Sequence, residues 1–431
     1  MLGNGLSTGQ QEKIMIKKRV VIIGAGAAGL SVAQQLRKQD DYQVIHLEAQ
    51  AEVGGRVKGV SFAGLNLDSG ACFLHHKTLE LYQEAKQRKW LAKTGKVGVI
   101  VNGRYLPSWR FAIFHLLPSM QKSKRLIRAF YRNADPLQTL EALIEEQGFN
   151  HATAHFYRQV LGVALGGAVD QVGSIPLKES FKTAKVRPEQ DLINQALSKP
   201  LSELLGELFS EQISLVETEQ VVSEIDCSQS QLVVRCTNGE VFQADKVVIT
   251  VPLAILKKGS IHFNPPLPVG HQQAIDSLGM GQGGKFFLQF SQRLWKSGVG
   301  QIINTDAMCQ FWVPEPTQPI LVAFYVEKEG ELHSGAQRLQ LLLDALSQVF
   351  ACDVEALLID HHHEAWSFNP YIAGLYSYDR VGSEGARTVL QQPIREQLFL
   401  AGEATIEGHF ATVDGAIESG KRVARQLLGE C

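Results

Sequence analysis

Residues Arg19–Glu48 read RVVIIGAGAAGLSVAQQLRKQDDYQVIHLE and decide the fold. The first apolar run, Val20–Ile23, is typical of a short strand that is buried on both faces of a sheet. Gly24, Gly26 and Gly29 follow it in the spacing G-x-G-x-x-G and open a helical pattern. A buried strand that turns through glycines into a helix predicts the start of a parallel α/β unit.

Each glycine in this turn has its own physical role. Gly24 allows the tight turn, Gly26 lets backbone N–H groups approach a pyrophosphate, and Gly29 lets the helix pack closely on its strand. A second strand, Tyr42–Leu47, then delivers Glu48, whose carboxylate can accept hydrogen bonds from both hydroxyls of an adenosine ribose. The unit predicts a dinucleotide site with the phosphates at the helix N-terminus. The residues of the unit do not distinguish NAD from FAD.

Composition narrows the class of protein. A chain of 431 residues with 45% hydrophobic content can bury a large core, and its length predicts two domains. The net charge of −2 gives no electrostatic reason to expect nucleic acid binding. The polar start lacks the apolar core of a secretory signal, and the six scattered cysteines show no zinc spacing. These features predict a cytoplasmic protein with reduced thiols.

A second glycine-rich segment follows the first unit. Gly55 and Arg56 belong to the sequence GGR, and Gly70 and Ala71 to the sequence DSGA. A guanidinium close to the first glycine loop can neutralise a diphosphate. A solvated arginine in a surface turn is the alternative interpretation.

The order GAGAAGL, LE, GGR and D-x-GA resembles flavoproteins of the glutathione-reductase type, which include amine oxidases, protoporphyrinogen oxidases and phytoene desaturases. In those families the second glycine pair and the arginine approach FAD. The resemblance therefore implies FAD rather than NAD. It also implies that Ala28, inside the first glycine loop, belongs to the FAD site.

The middle of the chain returns to strand-like sequence. From Gln212 to Pro252, clusters of β-branched residues and a TNGE turn predict a small β-meander. It resembles the second FAD segment of amine oxidases, in which a valine like Val222 contacts the adenine. The predicted FAD-binding domain is therefore discontinuous and comprises residues 17–76, 205–262 and 385–431. The predicted α+β substrate domain, with a helical insertion, comprises residues 77–204 and 263–384.

The predicted insertion begins with a basic block, defined here as residues 77–132. It holds thirteen Lys or Arg residues against two acids, Glu80 and Glu84, and its centre interleaves aromatic and basic residues. Such a segment could lie on an anionic membrane surface or dock an acidic partner. The solvated back of an amphipathic helix explains the same composition. If these charges lined an entrance, they would repel a cationic substrate.

Lys285 alternates with apolar residues in a predicted strand that ends at Phe290. A lysine there is costly unless its ammonium meets water, a carboxylate or a cofactor, and a solvated edge strand is the alternative. The surrounding GMG-x-x-x-K resembles amine oxidases, whose lysine holds a water against flavin N5. The segment around Trp366 and Tyr376 resembles the one whose tryptophan lines the flavin and whose tyrosine forms one wall of an aromatic substrate cage.

The last segment offers a carboxylate at a strand end and then a helix N-terminus. The resemblance implies that Glu403 bonds the ribityl and diphosphate side of FAD, and that Thr412 and Val413 start a helix that points at the flavin pyrimidine. Gly402 and Ala416 belong to the same implied site. A strand-turn-helix with an ordinary acidic cap is the alternative.

Within the amine oxidases the chain is most similar to polyamine oxidases. His75 stands where they carry a histidine near the substrate mouth. Leu375 stands where monoamine oxidases attach FAD through a cysteine, so FAD is expected to bind non-covalently. Thr412 replaces a cage tyrosine, and this leaves Tyr376 as a half cage that Phe410 could complete.

The run His361–His363 invites a metal interpretation. On a strand only His361 and His363 would share a face, and no cysteine lies near them. No metal site is therefore predicted.

The resemblance implies an FAD-dependent oxidase of a polyamine or related amine. A hydride equivalent would pass from the α-carbon of a neutral amine to flavin N5, water would hydrolyse the imine, and O2 would reoxidise FAD with release of hydrogen peroxide. A desaturase or dehydrogenase of an apolar substrate at a membrane surface and an FAD-stabilised, non-catalytic binding protein stay open as rivals. The implied catalytic residues are Lys285, Trp366, Tyr376, His75 and Thr412.

Overall fold

The computed structural model describes residues 17–93, 95–132, 135, 137–174, 192–304 and 306–430. Its strands, numbered in chain order, are β1 Lys18–Ile23, β2 Tyr42–Leu47, β3 Gly59–Phe62, β4 Leu65–Asp68, β5 Phe73–His76, β6 Lys96–Val101, β7 Arg104–Pro107, β8 Leu192–Ala196, β9 Val222–Asp226, β10 Leu232–Cys236, β11 Val241–Ala244, β12 Lys246–Ile249, β13 His262–Asn264, β14 Gly279–Met280, β15 Gln282–Phe290, β16 Val299–Asn304, β17 Cys309–Trp312, β18 Ile320–Glu327, β19 Leu358–Glu364, β20 Ser377–Tyr378 and β21 Leu398–Leu400.

The α-helices, numbered in the same way, are α1 Ala27–Leu36, α2 Glu80–Gln87, α3 Ser108–Phe111, α4 Met120–Arg132, α5 Leu140–Glu146, α6 His151–Leu165, α7 Leu201–Leu208, α8 Ser210–Ile213, α9 Leu253–Lys257, α10 Val269–Ser277, α11 Gly335–Phe350, α12 Ala386–Leu390 and α13 Val413–Leu428. A π-helical turn, Ala112–Leu116, continues α3. Short 3-10 turns cover Glu355–Leu357, Trp366–Phe368 and Glu403–Thr405. No helix of the described residues combines the length and the apolar content needed to cross a membrane.

The glycine unit forms the centre of a parallel four-stranded sheet in the order β2-β1-β12-β21. Val20 and Ile22 pack on one face against a cluster that contains residues of α1 and α13, and Val21 and Ile23 pack on the other face. Both faces of β1 are thus buried, which explains why its sequence is a continuous apolar run. The predicted Rossmann-type α/β fold is confirmed.

A second, mixed sheet of seven strands has the order β19-β15-β18-β17-β16-β6-β7. Phe286, Leu288 and Tyr325 point to one face, where they pack with Leu342 and Leu346 of α11. Lys285 points to the opposite face, in register with Phe324 on β18. Because β15 pairs with both β18 and β19, the edge-strand interpretation of Lys285 is wrong.

Two secondary-structure predictions made from the sequence are wrong. The sequence predicts a largely helical insertion from residue 77, but residues 96–107 form the hairpin β6-β7, and β6 joins the large sheet by parallel pairing with β16. The apolar run VGVIV and the turn at Asn102-Gly103 are typical of a hairpin, and they outweigh the helical character of the flanking segments. Gln212, predicted to begin a strand, lies in α8, and the meander β9-β10-β11 starts only at Val222.

We expect Gly29→Ala to destabilise the glycine unit. A Cβ at this position would lie 2.0 Å from the carbonyl oxygen of Gly24 and 3.0 Å from Nε2 of His46, so α1 would have to move off its strand. Overpacking of this kind costs about 1 to 3 kcal/mol, and urea unfolding monitored by circular dichroism measures it.

Gly206→Ala is the matched control, since Gly206 is also a helical glycine and a Cβ there meets nothing within 4 Å. It should leave the free energy of unfolding unchanged or raise it by about 0.4 to 1 kcal/mol. Equal unfolding midpoints for the two variants would contradict the close-packing role of Gly29.

Candidate active site

A cavity of about 870 Å³ lies between the two sheets. The first glycine loop lines one end, and side chains of the large sheet, including Lys285, Phe324 and Trp312, line the other. Residues Val160–Leu165 of α6 contribute an apolar wall, with the exception of Gly162. Its volume falls within the range of about 300 to 1,000 Å³ that is usual for cofactor and substrate pockets.

The first glycine loop leaves the N-terminus of α1 open to this cavity. The N-cap residue is Gly26, which has no side chain to accept a hydrogen bond, and the first turn contains no acid. Gly24 has a φ of +101°, a conformation that side-chain-bearing residues rarely adopt. The N–H groups of this turn therefore stay available for an anion.

Two side chains hold the loop in place, one from β2 and one from the residue that follows β2. Nε2 of His46 lies 3.0 Å from the carbonyl oxygen of Gly24, and burial lowers the pKa of His46 to about 4, so the ring is neutral and donates. The carboxylate of Glu48 accepts hydrogen bonds from the backbone N–H groups of Ala25 at 2.7 Å and Gln50 at 3.0 Å. Glu48 is buried and lines the cavity beside the loop.

The second glycine segment lies directly against the first. Gly54 forms a bridge with Gly26 and donates its N–H to the carbonyl of Ala25 at 2.9 Å. Nη1 of Arg56 donates to Glu403 at 2.8 Å. The same nitrogen donates to the carbonyl oxygen of Leu375, also at 2.8 Å. Arg56 is therefore fixed by protein groups while its side chain still lines the cavity.

Glu403 is a buried, fully engaged carboxylate. Besides Arg56, it accepts hydrogen bonds from the backbone N–H and the hydroxyl of Ser377 and from the N–H of Ala411. Burial alone would raise the pKa of Glu403, but the charges of Arg56 and Arg387 outweigh it and hold the pKa below its ordinary value. Glu403 is thus ionised, and its predicted direct bond to FAD stays a prediction.

The ammonium of Lys285 is held by main-chain oxygens at the large-sheet end of the cavity. The side chain is 3% exposed and donates to the carbonyl oxygens of Asp68, at 3.1 Å, and Gly70. Its Nζ also lies 3.3 Å from Sγ of Cys72 and 4.9 Å from the ring centroid of Trp312. Lys285 is thus directed at the segment that contains the D-x-GA motif.

Two aromatic rings of the cavity are fixed by single hydrogen bonds. Nε1 of Trp366 donates to the carbonyl oxygen of Ser69 at 3.0 Å, which orients the buried indole. The hydroxyl of Tyr376 donates to the carbonyl oxygen of Val163 in α6. Burial raises the pKa of Tyr376 well above its ordinary value, so this hydroxyl remains a donor.

The structure brings nearly all the predicted site residues to this one cavity. Gly29 is the exception, because it lies under the loop and acts through the packing of α1. Thr412 lines the cavity, but its hydroxyl is used to cap α13, since Oγ1 accepts from the N–H of Gly415 at 2.9 Å. The lining residues among those predicted are Gly24, Gly26, Ala28, Glu48, Gly55, Arg56, Gly70, Ala71, His75, Val222, Lys285, Trp366, Tyr376, Gly402, Glu403, Thr412, Val413 and Ala416.

Sequence reasoning missed the lining residues of the large sheet and of α6. Phe324 is the cross-strand neighbour of both Lys285 and Gln310, and Gln301 is the neighbour of Trp312. Cys72 was overlooked although it lies between the D-x-GA motif and His75. Period-2 alternation in β17 could have placed Gln310 and Trp312 on one face, but nothing local reveals their partners.

The histidine run lies on β19, where His361 and His363 face Leu288 and Phe286 across the pair with β15. The ring of His363 stacks on Phe286 at 3.9 Å, and its Nε2 lies 2.8 Å from the hydroxyl of Tyr325. Among the described residues, no group of three or more His, Cys, Asp or Glu side chains is arranged to hold a metal ion.

The residues of the cavity fit FAD. The uncapped α1 N-terminus suits a diphosphate, and Glu48 lies beside it for a ribose. Leu375, at the position of the attaching cysteine of monoamine oxidases, also lines the cavity, and its side chain cannot form a thioether. The fold and this site define the chain as a flavoprotein with a Rossmann-type sheet and a second, mixed sheet.

Comparison with known proteins identifies the family. Residues 181–428 match the family described as flavin containing amine oxidoreductase, and residues 22–85 match an NAD(P)-binding Rossmann-like domain. The first match covers more than half of the chain, so the chain belongs to the flavin-containing amine oxidoreductase family, and its cofactor is FAD. This confirms the resemblance to amine oxidases and the fold class.

The similar proteins are consistent with this family assignment. Lysine-specific histone demethylase 2 of Homo sapiens is 26% identical over 98% of this chain and 55% of its own length, so the chain spans about half of that relative. Peroxisomal N(1)-acetyl-spermine/spermidine oxidase of Bos taurus is 25% identical over 95% of this chain and 94% of its own length. A solved structure of a redesigned putrescine oxidase superposes with a TM-score of 0.79 at 16% identity, covers 96% of this chain and 99% of that one, and supports the fold.

We expect the buried Asp414 to make stability depend on pH. Burial raises the pKa of Asp414 to about 7, although the N–H of Leu81 donates to it at 3.3 Å. An unfolded Asp ionises near pH 4, so the stability from the protonated folded form is complete below pH 4 and is lost as pH rises through about 7. Asp414→Asn cannot ionise, and its melting temperature relative to the wild type should rise by about 2 °C or more between pH 5 and pH 8.

Differential scanning fluorimetry at the two pH values measures this change. Asp41→Asn, which removes an exposed carboxyl, is the control and should keep a constant offset from the wild type. A constant offset for Asp414→Asn as well would show that this carboxyl is ionised at pH 5.

Proposed function

We propose that the chain is an FAD-dependent oxidase that converts an amine to an imine, with O2 as the electron acceptor and hydrogen peroxide as a product. FAD, when bound, supplies the acceptor for the hydride equivalent of the amine. The observation that carries the proposal is the single cavity that extends from the phosphate-binding glycine loop to Lys285, Trp366 and Tyr376. Family membership supports amine oxidation over the desaturase and the non-catalytic binding protein, and neither rival gains support from the comparisons.

The aromatic side chains of the cavity suit the orientation of a neutral amine. Trp366 and Tyr376 are each held by a main-chain oxygen, so their rings present fixed faces. Phe410 also lines the cavity, as the predicted completion of the half cage requires, with the guanidinium carbon of Arg387 4.2 Å from its ring centroid. A preorganised apolar cage favours the uncharged amine, because burial disfavours an ammonium.

The lining also bears on the substrate class. Glu48 and Glu403 are the carboxylates among the described lining residues, and both already accept hydrogen bonds from protein groups. Around Lys285 the lining is Cys72, Phe73, Trp312 and Phe324 with the amides of Gln301 and Gln310. We propose a substrate whose remaining chain carries fewer positive charges than a free polyamine, such as an aromatic amine or an N-acetylated polyamine.

An amine panel tests the oxidase proposal. The protein with bound FAD is mixed without oxygen with spermine, spermidine, N-acetylated polyamines, aromatic monoamines and amino acids, and the flavin absorbance is followed. Bleaching by at least one amine, with peroxide release once oxygen is admitted, is the expected outcome. A flavin that no amine bleaches, or a protein that takes up no FAD, would refute the proposal. Faster bleaching by free spermine than by its acetylated form would contradict the preference for a less charged substrate and would leave the oxidase proposal standing.

Lys285→Met should retain FAD but slow turnover. The substitution removes the buried ammonium beside the aromatic end of the cavity, together with its hydrogen bonds to the carbonyl oxygens of Asp68 and Gly70, and makes no change in the first glycine loop. We expect a fall in kcat of about tenfold or more, with rapid mixing separating flavin reduction by the amine from reoxidation by O2.

Lys296→Met, which removes an exposed lysine, is the control and should leave both steps unchanged. The flavin absorbance spectrum verifies that Lys285→Met is loaded with FAD. Unchanged rates of both steps in the loaded Lys285→Met protein would exclude a catalytic role for the ammonium.

A further inference from the structure

The outer surface of the basic block exposes large apolar side chains to water. Six of the fifteen large apolar side chains that are exposed among the described residues lie within one short stretch of α3, the π-helical turn and α4. We call them the outer face: Trp109, Ile113, Phe114, Leu117, Met120 and Ile127. Phe114 is 66% exposed, and Trp109 and Leu117 are each 58% exposed. Single exposed apolar residues are common, but such a concentration marks an interaction surface.

This exposure does not result from loose packing of the helices. Their inner side is fixed by Phe111 and Leu126, which are 1% and 0% exposed and belong to two separate core clusters. The carbonyl oxygen of His115 also accepts a hydrogen bond from the hydroxyl of Thr153 in α6 at 3.1 Å. The helices therefore have one buried apolar side and, in addition, the apolar outer face.

Cations accompany the outer face. Arg110, Lys124, Arg125 and Arg128 are exposed on the same helices. The guanidinium carbon of Arg110 lies 5.3 Å from the ring centroid of Trp109. No Asp or Glu occurs in the sequence between Glu84 and Asp135, so nearby acidic side chains of the block itself do not compensate these charges.

We propose that the outer face docks on the surface of a lipid bilayer that contains anionic lipids. The aromatic and aliphatic side chains would enter the headgroup layer, and the surrounding cations would contact lipid phosphates. A bilayer matches both the apolar side chains and the cations of the outer face, since it offers diffuse negative charge directly above an apolar layer. A soluble acidic peptide would match the cations but leave Phe114 and Leu117 in water.

The position of the outer face also agrees with the fold of the site. The π-helical turn packs against the N-terminal part of α6 at Thr153, and the C-terminal part of α6 lines the cavity from Val160 to Leu165. A bilayer bound at the outer face would therefore contact the element that adjoins the helix of the cavity wall. The docking proposal does not depend on which substrate the cavity takes, and its test needs no turnover.

The test is cosedimentation of the full-length protein, loaded with FAD, with vesicles. One vesicle type is phosphatidylcholine alone, and the other contains equal parts of phosphatidylcholine and phosphatidylglycerol. The protein should pellet with the anionic vesicles at low salt and about tenfold more weakly at high salt or with neutral vesicles. Phe114→Ser/Leu117→Ser and Lys124→Glu/Arg128→Glu should each weaken the partition by about tenfold or more.

Matched controls carry equal changes elsewhere on the surface. Val269 and Ile359 are 72% and 61% exposed, so Val269→Ser/Ile359→Ser matches the apolar variant, and Lys258→Glu/Lys296→Glu matches the charge variant. Flavin absorbance and melting temperature verify that every variant is folded. Absence of pelleting with anionic vesicles at low salt, equal pelleting with both vesicle types, or equal losses in test and control variants would each overturn the proposal. Binding to soluble polyglutamate without binding to anionic vesicles would assign the face to an acidic protein instead.

Discussion

The buried carboxylate of Glu403 joins three parts of the chain that are far apart in sequence. It accepts hydrogen bonds from Arg56 in the second glycine segment, from Ser377 on β20 and from Ala411 before α13. An ionised carboxylate buried without such partners would cost several kcal/mol, so the folded state depends on the hydrogen bonds from these three segments. Arg56 and Ala411 also line the cavity, and the same interaction therefore fixes the shape of the site.

The parts of the fold that could be predicted from sequence are those whose structure is determined by residues that are close together in the chain. In the glycine unit, strand, turn, helix and second strand follow one another within thirty residues, and each has its own periodicity or conformational signal. The hairpin β6-β7 was missed although Asn102-Gly103 marks its turn, because a short apolar run such as VGVIV is compatible with a helix or a strand. The pairing that settles the choice joins β6 to β16, about two hundred residues later in the chain.

The same limit applies to the site. Lys285 was singled out because a lysine in an apolar strand is unusual, and the flanking glycines resemble a known motif. Its surroundings were not predictable, since Phe324 becomes the neighbour of Lys285, and Gln310 the neighbour of Phe324, only through the register of β15, β18 and β17. Glu403 and Thr412 illustrate a different limit: the sequence located both residues at the cavity, but their polar atoms serve Arg56, Ser377 and the α13 cap within the protein itself.

Helix α6 connects the chemistry of the cavity to the surface of the molecule. The hydroxyl of Thr153 in α6 donates a hydrogen bond to the π-helical turn beneath the outer face. The carbonyl oxygen of Val163, also in α6, accepts a hydrogen bond from the hydroxyl of Tyr376. These two residues are ten positions apart, which is about 15 Å along a helix. Because a packed helix behaves as a rigid element over this length, the orientation of the cage tyrosine and the position of the outer face are set by one piece of secondary structure.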